Sequence, residues 1–315
     1  MREVKGRFAP TPSGSMHIGN AFCYLLAWLS VRVQGGGVVL RFEDADVLRM
    51  RPDAVEETLS ELTWLGLSWD EGPAPGERNG MYFQSCRTEI YDAWFEHLRA
   101  LGEVYPCFCS RQDLRLAAAP HAEDRAPIYP GTCRGLAAAE AAALSRRRPP
   151  AWRLHVRDRE LCFFDGLRGE QRVSLARDCG DFPIRRADGV YCYQFITALD
   201  DALMGVSEVV RSADLLSSTP WQIEVQQRLG LDVPAFFHIP MLLDEEGRRM
   251  AKRDFSLSVR ELRARYSPAQ VVGRLAFLAG LIDRPEDAMP AELLPLFSWD
   301  RLPTDDITLP PGLFS

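Results

Sequence analysis

The stretch from Gly6 to Phe42 decides most of what this chain can become. Gly6-Arg7-Phe8-Ala9-Pro10 is short, apolar and closed by a proline, as a buried parallel strand is. Thr11-Pro12-Ser13-Gly14-Ser15 follows as a turn. A nearly all-round apolar run from His17 to Val33 then reads as a buried helix, stopped by Gly35-Gly36-Gly37. Val38-Val39-Leu40-Arg41-Phe42 is the next strand. Strand, turn, buried helix and strand make a βαβ unit, which commits the chain to a parallel sheet with a right-handed crossover. The expected fold class is α/β.

Helical spacing returns over Pro52 to Leu65 and Thr88 to Leu101, and periodicity fails between Tyr105 and Arg134, where prolines, glycines and cysteines dominate. The Ala-rich run Leu136 to Leu144 is expected as a short surface helix. Trp152 to Val156 and Leu161 to Phe164 read as antiparallel strands of a separate subdomain. Tyr191 to Leu199 and Ser207 to Arg211 read as strands, and Leu215 to Leu229 as a helix. Two further helices are expected at Ser258 to Tyr266 and Pro268 to Leu281. The expected organisation is a first half of the parallel-sheet domain at 1–102, an insertion at 103–186, a second half at 187–245, and a loop, helical stem and tail at 246–315.

A chain of 315 residues with 46% hydrophobic and 26% charged residues has the proportions of a folded protein rather than a disordered or fibrous one. The apolar run Asn20 to Val31 is shorter than the roughly 18 to 20 residues a membrane helix needs. Arg2, Glu3 and Lys5 interrupt the start, so no secretory signal is visible and a cytoplasmic, monomeric protein without a membrane partner is expected. A net charge of -7 argues against bulk electrostatic capture of nucleic acid, and DNA is not an expected partner.

The eight cysteines are too scattered for a disulfide framework. Cys23, Cys86, Cys162, Cys179 and Cys192 read as isolated core residues. Cys107-Phe108-Cys109 with Cys133 lies in the loop-rich region and suggests thiolate ligation of zinc. On residues alone, His121 is the favoured fourth ligand. His17-Ile18-Gly19-Asn20 sits where a strand turns into a helix, a ready place for phosphate because helix N-terminal N–H groups are unpaired and the dipole is positive. Gly19 lets a ligand approach the backbone, and His17 can donate to a phosphate or ring oxygen.

Several segments together carry a family likeness. Arg7-Phe8-Ala9-Pro10-Thr11-Pro12-Ser13-Gly14-Ser15-Met16-His17-Ile18-Gly19-Asn20 resembles the extended HIGH signature of the class I aminoacyl-tRNA synthetases, in its glutamyl and glutaminyl version. Arg41-Phe42-Glu43-Asp44-Ala45-Asp46 resembles the acidic motif after the next strand in that group. The run Val209 to Pro220 is similar to its second-half motif. Arg249-Met250-Ala251-Lys252-Arg253 stands where the KMSKS signature belongs, with Arg249, Ala251 and Arg253 replacing the first lysine and both serines.

The resemblance implies a class I Rossmann-type parallel sheet, an inserted zinc-binding subdomain and a short C-terminal helical stem. It implies catalytic roles for His17 and Lys252, and binding of ATP, with Mg(2+), by His17, Gly19, Asn20, Arg249 and Lys252. It implies that L-glutamate is held by Arg7, Phe8, Ala9, Pro10, Thr11, Glu43, Tyr193 and Arg211. Two arginines and one acid are the minimum for two carboxylates and an ammonium, since the guanidinium fork matches a carboxylate bidentately. Lys252, in a loop after Gly247, can offset charge building on the phosphates as a carboxylate is activated.

Ile128-Tyr129-Pro130-Gly131-Thr132-Cys133 resembles the Tyr-x-x-x-Cys segment of the glutamyl-queuosine tRNA(Asp) synthetases, which implies Tyr129 as fourth ligand beside Cys107, Cys109 and Cys133. Only 63 residues follow Lys252, too few for a large anticodon-binding region. That shortened group is therefore the nearer likeness. It implies glutamate activation without tRNA, then transfer to queuosine in the anticodon arm of tRNA(Asp). Unpaired loop bases can be splayed out and read by pocket contacts. A truncated glutamyl-tRNA synthetase charging a 3′ end, and a non-catalytic RNA- or nucleotide-binding relative, are the alternatives.

Overall fold

A computed structural model describes residues 3–51, 53–74, 76–77, 80–110, 113, 128–248 and 257–314. Arg249 to Arg253, with Lys252, and His121 lie outside the described residues.

β1 (Lys5–Phe8) and β2 (Gly37–Leu40) pair in parallel with Arg7 opposite Val39, and α1 (Ile18–Val33) makes the crossover. The helix begins where the His17 side chain caps the Gly19 N–H and ends before Gly35, whose φ of 70° suits glycine. Gly36 is required by contact: a Cβ there would lie 2.2 Å from the Val4 carbonyl oxygen. α2 (Ala54–Trp64) and α3 (Thr88–Ala100) follow as expected from their spacing.

The next part holds β3 (Val104–Cys107), α4 (Ala138–Ser145), β4 (Ala151–Leu154), β5 (Glu160–Asp165), β6 (Gly169–Ser174) and β7 (Phe182–Arg185). β3, β4 and β7 form an antiparallel three-stranded sheet. Then come α5 (Tyr193–Leu203), β8 (Glu208–Ser212), α6 (Thr219–Arg228) and β9 (Ala235–Ile239). β8 and β9 are parallel, with Arg211 opposite His238, and Ser207 N donates to the Lys5 carbonyl at 2.8 Å, which sets β8 beside β1. Short strands β10 (Leu242–Leu243) and β11 (Ile307–Thr308), with α7 (Val259–Arg263), α8 (Pro268–Leu278) and the short α9 (Pro290–Leu293), make up the C-terminal part. α1 is buried along most of its length, and Leu25 and Leu29 share one core with Val271 and Leu275 of α8.

Three expectations change. Tyr191 to Leu199 is not a strand, because α5 starts at Tyr193 and buries Phe195, Ile196, Leu199, Asp200 and Asp201. The aromatic and β-branched content that suggested a strand is overridden by burial on several sides. Leu161 to Phe164 does form an antiparallel hairpin, β5–β6, but it does not stand apart. β5 joins the sheet of β8 and β9 by pairing in parallel with β9, giving the order β6-β5-β9-β8. Cys86 and Cys162 are exposed rather than core residues, whereas Cys23 and Cys179 are buried.

Candidate active site

A cavity of about 830 Å³ opens beyond the carboxyl ends of β1, β2, β8 and β9, against the N-terminus of α1. This is where open parallel sheets bind ligands. Arg7, Ala9, Pro10, Thr11, His17, Gly19, Asn20, Glu43, Tyr193 and Arg211 all line it. Phe8 does not: its ring is fully buried and packs on Tyr24 with ring centroids 5.1 Å apart.

His17 Nδ1 accepts from Gly19 N at 3.1 Å, which leaves Nε2 of the neutral ring to carry the proton and donate. A Cβ on Gly19 would come within 2.9 Å of His17 Cε1, so this approach requires glycine. The residues that lead into α7 are tied to the same turn: Ile18 N donates to Leu257 O at 2.9 Å, and Val259 N to Met16 O at 2.7 Å. Leu257 to Val259, which begin five residues after Lys252 in the sequence, thus lie beside the turn that lines the cavity.

Arg7 is 5% exposed; its Nη1 donates to Val210 O at 2.9 Å and its Nε stands 3.7 Å from Asp201 Oδ2. Glu43 accepts from Thr197 Oγ1 at 3.1 Å and from Arg41 Nη2 at 3.5 Å. Burial raises the Glu43 pKa, against the lowering effect of Arg41 and Arg7. A cation arriving from the cavity would favour its ionised form.

Beneath these residues lies a buried charge network that the sequence reading did not assign. Arg41 ion-pairs with Asp201 Oδ1 at 2.8 Å and reaches within 3.8 Å of Asp200. Asp200 also accepts from Arg87 Nε at 2.8 Å, Gln84 Nε2 at 2.9 Å and Tyr91 OH at 2.7 Å. Asp200 and Asp201 are adjacent acids in the sequence, and their inward direction follows from the helical phase of α5.

Arg211 is 3% exposed and held from three sides. Nε donates to His238 Nε2 at 2.9 Å, Nη1 to Gln222 Oε1 at 2.7 Å and Nη2 to Thr219 Oγ1 at 2.8 Å. All three acceptors are neutral when His238 is uncharged, so the guanidinium charge is left for an anion in the cavity. Burial first, then neighbouring Arg7, lowers the Arg211 pKa, while Tyr193 and Asp201 oppose this. His238 Nδ1 in turn meets Asp165 Oδ2 at 2.5 Å. Burial and Arg211 hold His238 below its ordinary pKa, against the pull of Asp165. Neither His238 nor Asp165 carried a motif in the sequence.

The sulfurs of Cys107, Cys109 and Cys133 lie within 4.8 Å of one another, a group able to hold a metal ion. Tyr129 OH stands 3.4 Å from Cys107 Sγ and 3.5 Å from Cys109 Sγ, and accepts from Cys133 N at 2.8 Å. A tetrahedral zinc with its usual bond lengths sets ligand atoms roughly 3.5 to 3.8 Å apart. The Cys109–Cys133 sulfur distance of 3.7 Å and both tyrosine distances match that spacing. Arg153 lies over the Tyr129 ring, 3.9 Å from its centroid. Burial, then its thiol neighbours, pushes Cys109 up to about 11 against a hydrogen bond with Tyr129, which a dication would reverse. No helix among the described residues is long and apolar enough to cross a membrane.

Known proteins resemble this chain along nearly its whole length. The family model described as tRNA synthetases class I (E and Q), catalytic domain, matches residues 3–283. The chain is 47% identical over 309 residues to a Glutamyl-Q tRNA(Asp) synthetase of Symbiobacterium thermophilum, covering 97% of this chain and 95% of that one. It is 46% identical over 310 residues to the Glutamyl-Q tRNA(Asp) synthetase of Nitratidesulfovibrio vulgaris, covering 98% and 96%. Among solved structures, a glutamate tRNA ligase from Elizabethkingia meningosepticum in complex with its amino acid matches with a TM-score of 0.84 at 26% identity, covering 99% of this chain and 68% of that one. With a match across 3–283 and such likeness over nearly whole lengths, the chain belongs to the class I tRNA synthetases of the E and Q group.

Proposed function

We infer that this chain is a ligase that activates L-glutamate with ATP, without tRNA, and transfers it to queuosine at the wobble position of tRNA(Asp). The observation that carries the activation half is the cavity, where two buried arginines and Glu43 face the helix N-terminus. Likeness to the Glutamyl-Q tRNA(Asp) synthetases supports the choice of acceptor. Arg7 and Arg211 take the two carboxylates, Tyr193 adds its hydroxyl and Glu43 receives the ammonium. Ala9, Pro10 and Thr11 shape the pocket from the β1 side, and Phe8 acts from behind through packing. ATP, entering with its Mg(2+), lies along His17, Gly19 and Asn20. His17 donates from Nε2, and Arg249 and Lys252 supply positive charge for the phosphates. These reactions belong in the cytoplasm, where ATP and tRNA are.

Two nucleophilic substitutions share the site. The α-carboxylate attacks the α-phosphorus of ATP and pyrophosphate leaves, with Lys252 offsetting the charge on the departing phosphates. A queuosine hydroxyl then attacks the activated carbonyl and releases AMP. An isolated anticodon arm of tRNA(Asp) tests the acceptor. Labelling by radioactive glutamate is expected only when the arm carries queuosine. Charging of a tRNA 3′ end instead would favour a glutamate–tRNA ligase, and absence of pyrophosphate exchange would leave only a binding role.

The domain scheme is retained as part of the proposal: catalytic halves at 1–102 and 187–245, an inserted subdomain at 103–186 and a stem at 246–315. Zinc held by Cys107, Cys109, Cys133 and Tyr129 staples the insertion, consistent with the four-atom geometry above. His121 lies outside the described residues, and the nearness of the Tyr129 hydroxyl to Cys107 and Cys109 supports Tyr129 as the fourth ligand. Purified protein is expected to carry about one zinc per chain, lost in Cys133→Ser together with thermal stability. Protein free of zinc, and unaffected by chelators, would remove this assignment.

A further inference from the structure

We propose that Asp165 and His238 are positioning residues that fix the hydrogen-bonding direction of Arg211, and through it the affinity for the anionic amino acid. The inference rests on the reading of Arg211 as a substrate-binding arginine and adds the two residues behind it. Asp165, His238, Thr219 and Gln222 are each no more than 1% exposed, so the arrangement has no exchange with bulk water on this side.

The direction of each bond is determined by the atoms. Arg211 Nε can only donate, so His238 Nε2 must accept, which places the single ring proton on Nδ1. That proton faces Asp165 Oδ2 at 2.5 Å. The other carboxylate oxygen, Oδ1, is already engaged by backbone donors: Arg168 N at 2.9 Å, Leu167 N at 3.1 Å and His238 N at 3.2 Å. Asp165 therefore acts as an acceptor on both oxygens and selects the one tautomer that can receive Arg211. A guanidinium has five N–H groups. His238, Gln222 and Thr219 take three, and the remaining two are left for Tyr193 and a ligand in the cavity.

Asp165→Asn makes the sharpest test because it preserves shape. The amide oxygen stays with the three backbone N–H groups, so the amide nitrogen must face the ring. His238 then has to accept at Nδ1 and carry its proton on Nε2, where it opposes the Arg211 Nε–H. Losing this bond leaves a buried donor facing a donor, and the glutamate KM in pyrophosphate exchange should rise by about tenfold or more. The ATP KM is expected to stay within about twofold, because no ATP-facing group in the proposed site changes. Nitrogen-15 NMR should show His238 protonated on Nδ1 in the parent and on Nε2 in Asp165→Asn.

Arg211→Ala separates the two levels of the argument. If it leaves the glutamate KM unchanged, the substrate role of Arg211 falls and the positioning role falls with it. If it raises that KM while Asp165→Asn matches the parent, the positioning role alone is overturned. Should Asp165→Asn fail to fold, the parent spectrum still decides: a proton on His238 Nε2 would overturn the proposal.

Discussion

Arg41→Met should destabilise the fold by about 3 to 5 kcal/mol, the usual cost of removing one member of a buried ion network. Arg41 is fully buried and stands among Asp201, Asp200 and Glu43. Burial alone would lower its pKa, and the three carboxylates outweigh that effect and keep it charged. A methionine of similar length fills the space but leaves those carboxylates with only Arg7 and Arg87 to offset them. Urea unfolding checks the size of the effect. A loss below about 1 kcal/mol would mean that the network relaxes or takes in water. Mild acid should narrow the gap between variant and parent. Burial raises the Glu43 pKa, so its protonation begins at a higher pH than that of an ordinary carboxylate and relieves repulsion in the variant.

Lys252→Ala should lower turnover in glutamate-dependent pyrophosphate exchange by several hundredfold, with a far smaller change in the ATP KM. A lysine about 4 Å from a phosphate gains on the order of 4 kcal/mol at an effective dielectric near 20, before desolvation. If that gain is realised mainly as charge builds in the transition state, it acts on turnover rather than on binding. Arg249 retains a second positive charge in this segment, so Lys252 can be tested without emptying the loop of cations. Unchanged turnover in the variant would sink the role given to Lys252.

The βαβ unit was legible because its signals are local. Proline, glycine and the all-round apolar run of α1 dictate strand, stop and burial within a span of forty or so residues. The lining of the cavity was singled out by a family likeness instead: Arg7 to Asn20 is one continuous motif and Glu43 follows the next strand, while Tyr193 and Arg211 come from distant segments. Tyr191 to Leu199 was misread because local composition favours a strand, while the burial of Phe195 and Leu199, together with Asp200 and Asp201, is satisfied only by helical phase. Asp165 and His238 are 73 residues apart and meet only because β5 lies beside β9. No periodicity encodes such a meeting. The cysteine group falls between these cases, since spacing exposed its three thiols and a family likeness was needed to single out Tyr129.

The position of β5 bears on how such chains can be recombined. Gly166, just after β5, is pressed against β9 so closely that a Cβ would fall 1.9 Å from Phe237 Cε1. A graft that exchanges residues 103–186 between relatives would therefore exchange part of the floor under the amino-acid pocket, along with whatever RNA surface the insertion offers. Chimaeras intended to alter the acceptor alone should retain the β5–β6 hairpin of the recipient, or import the donor's β9 with it.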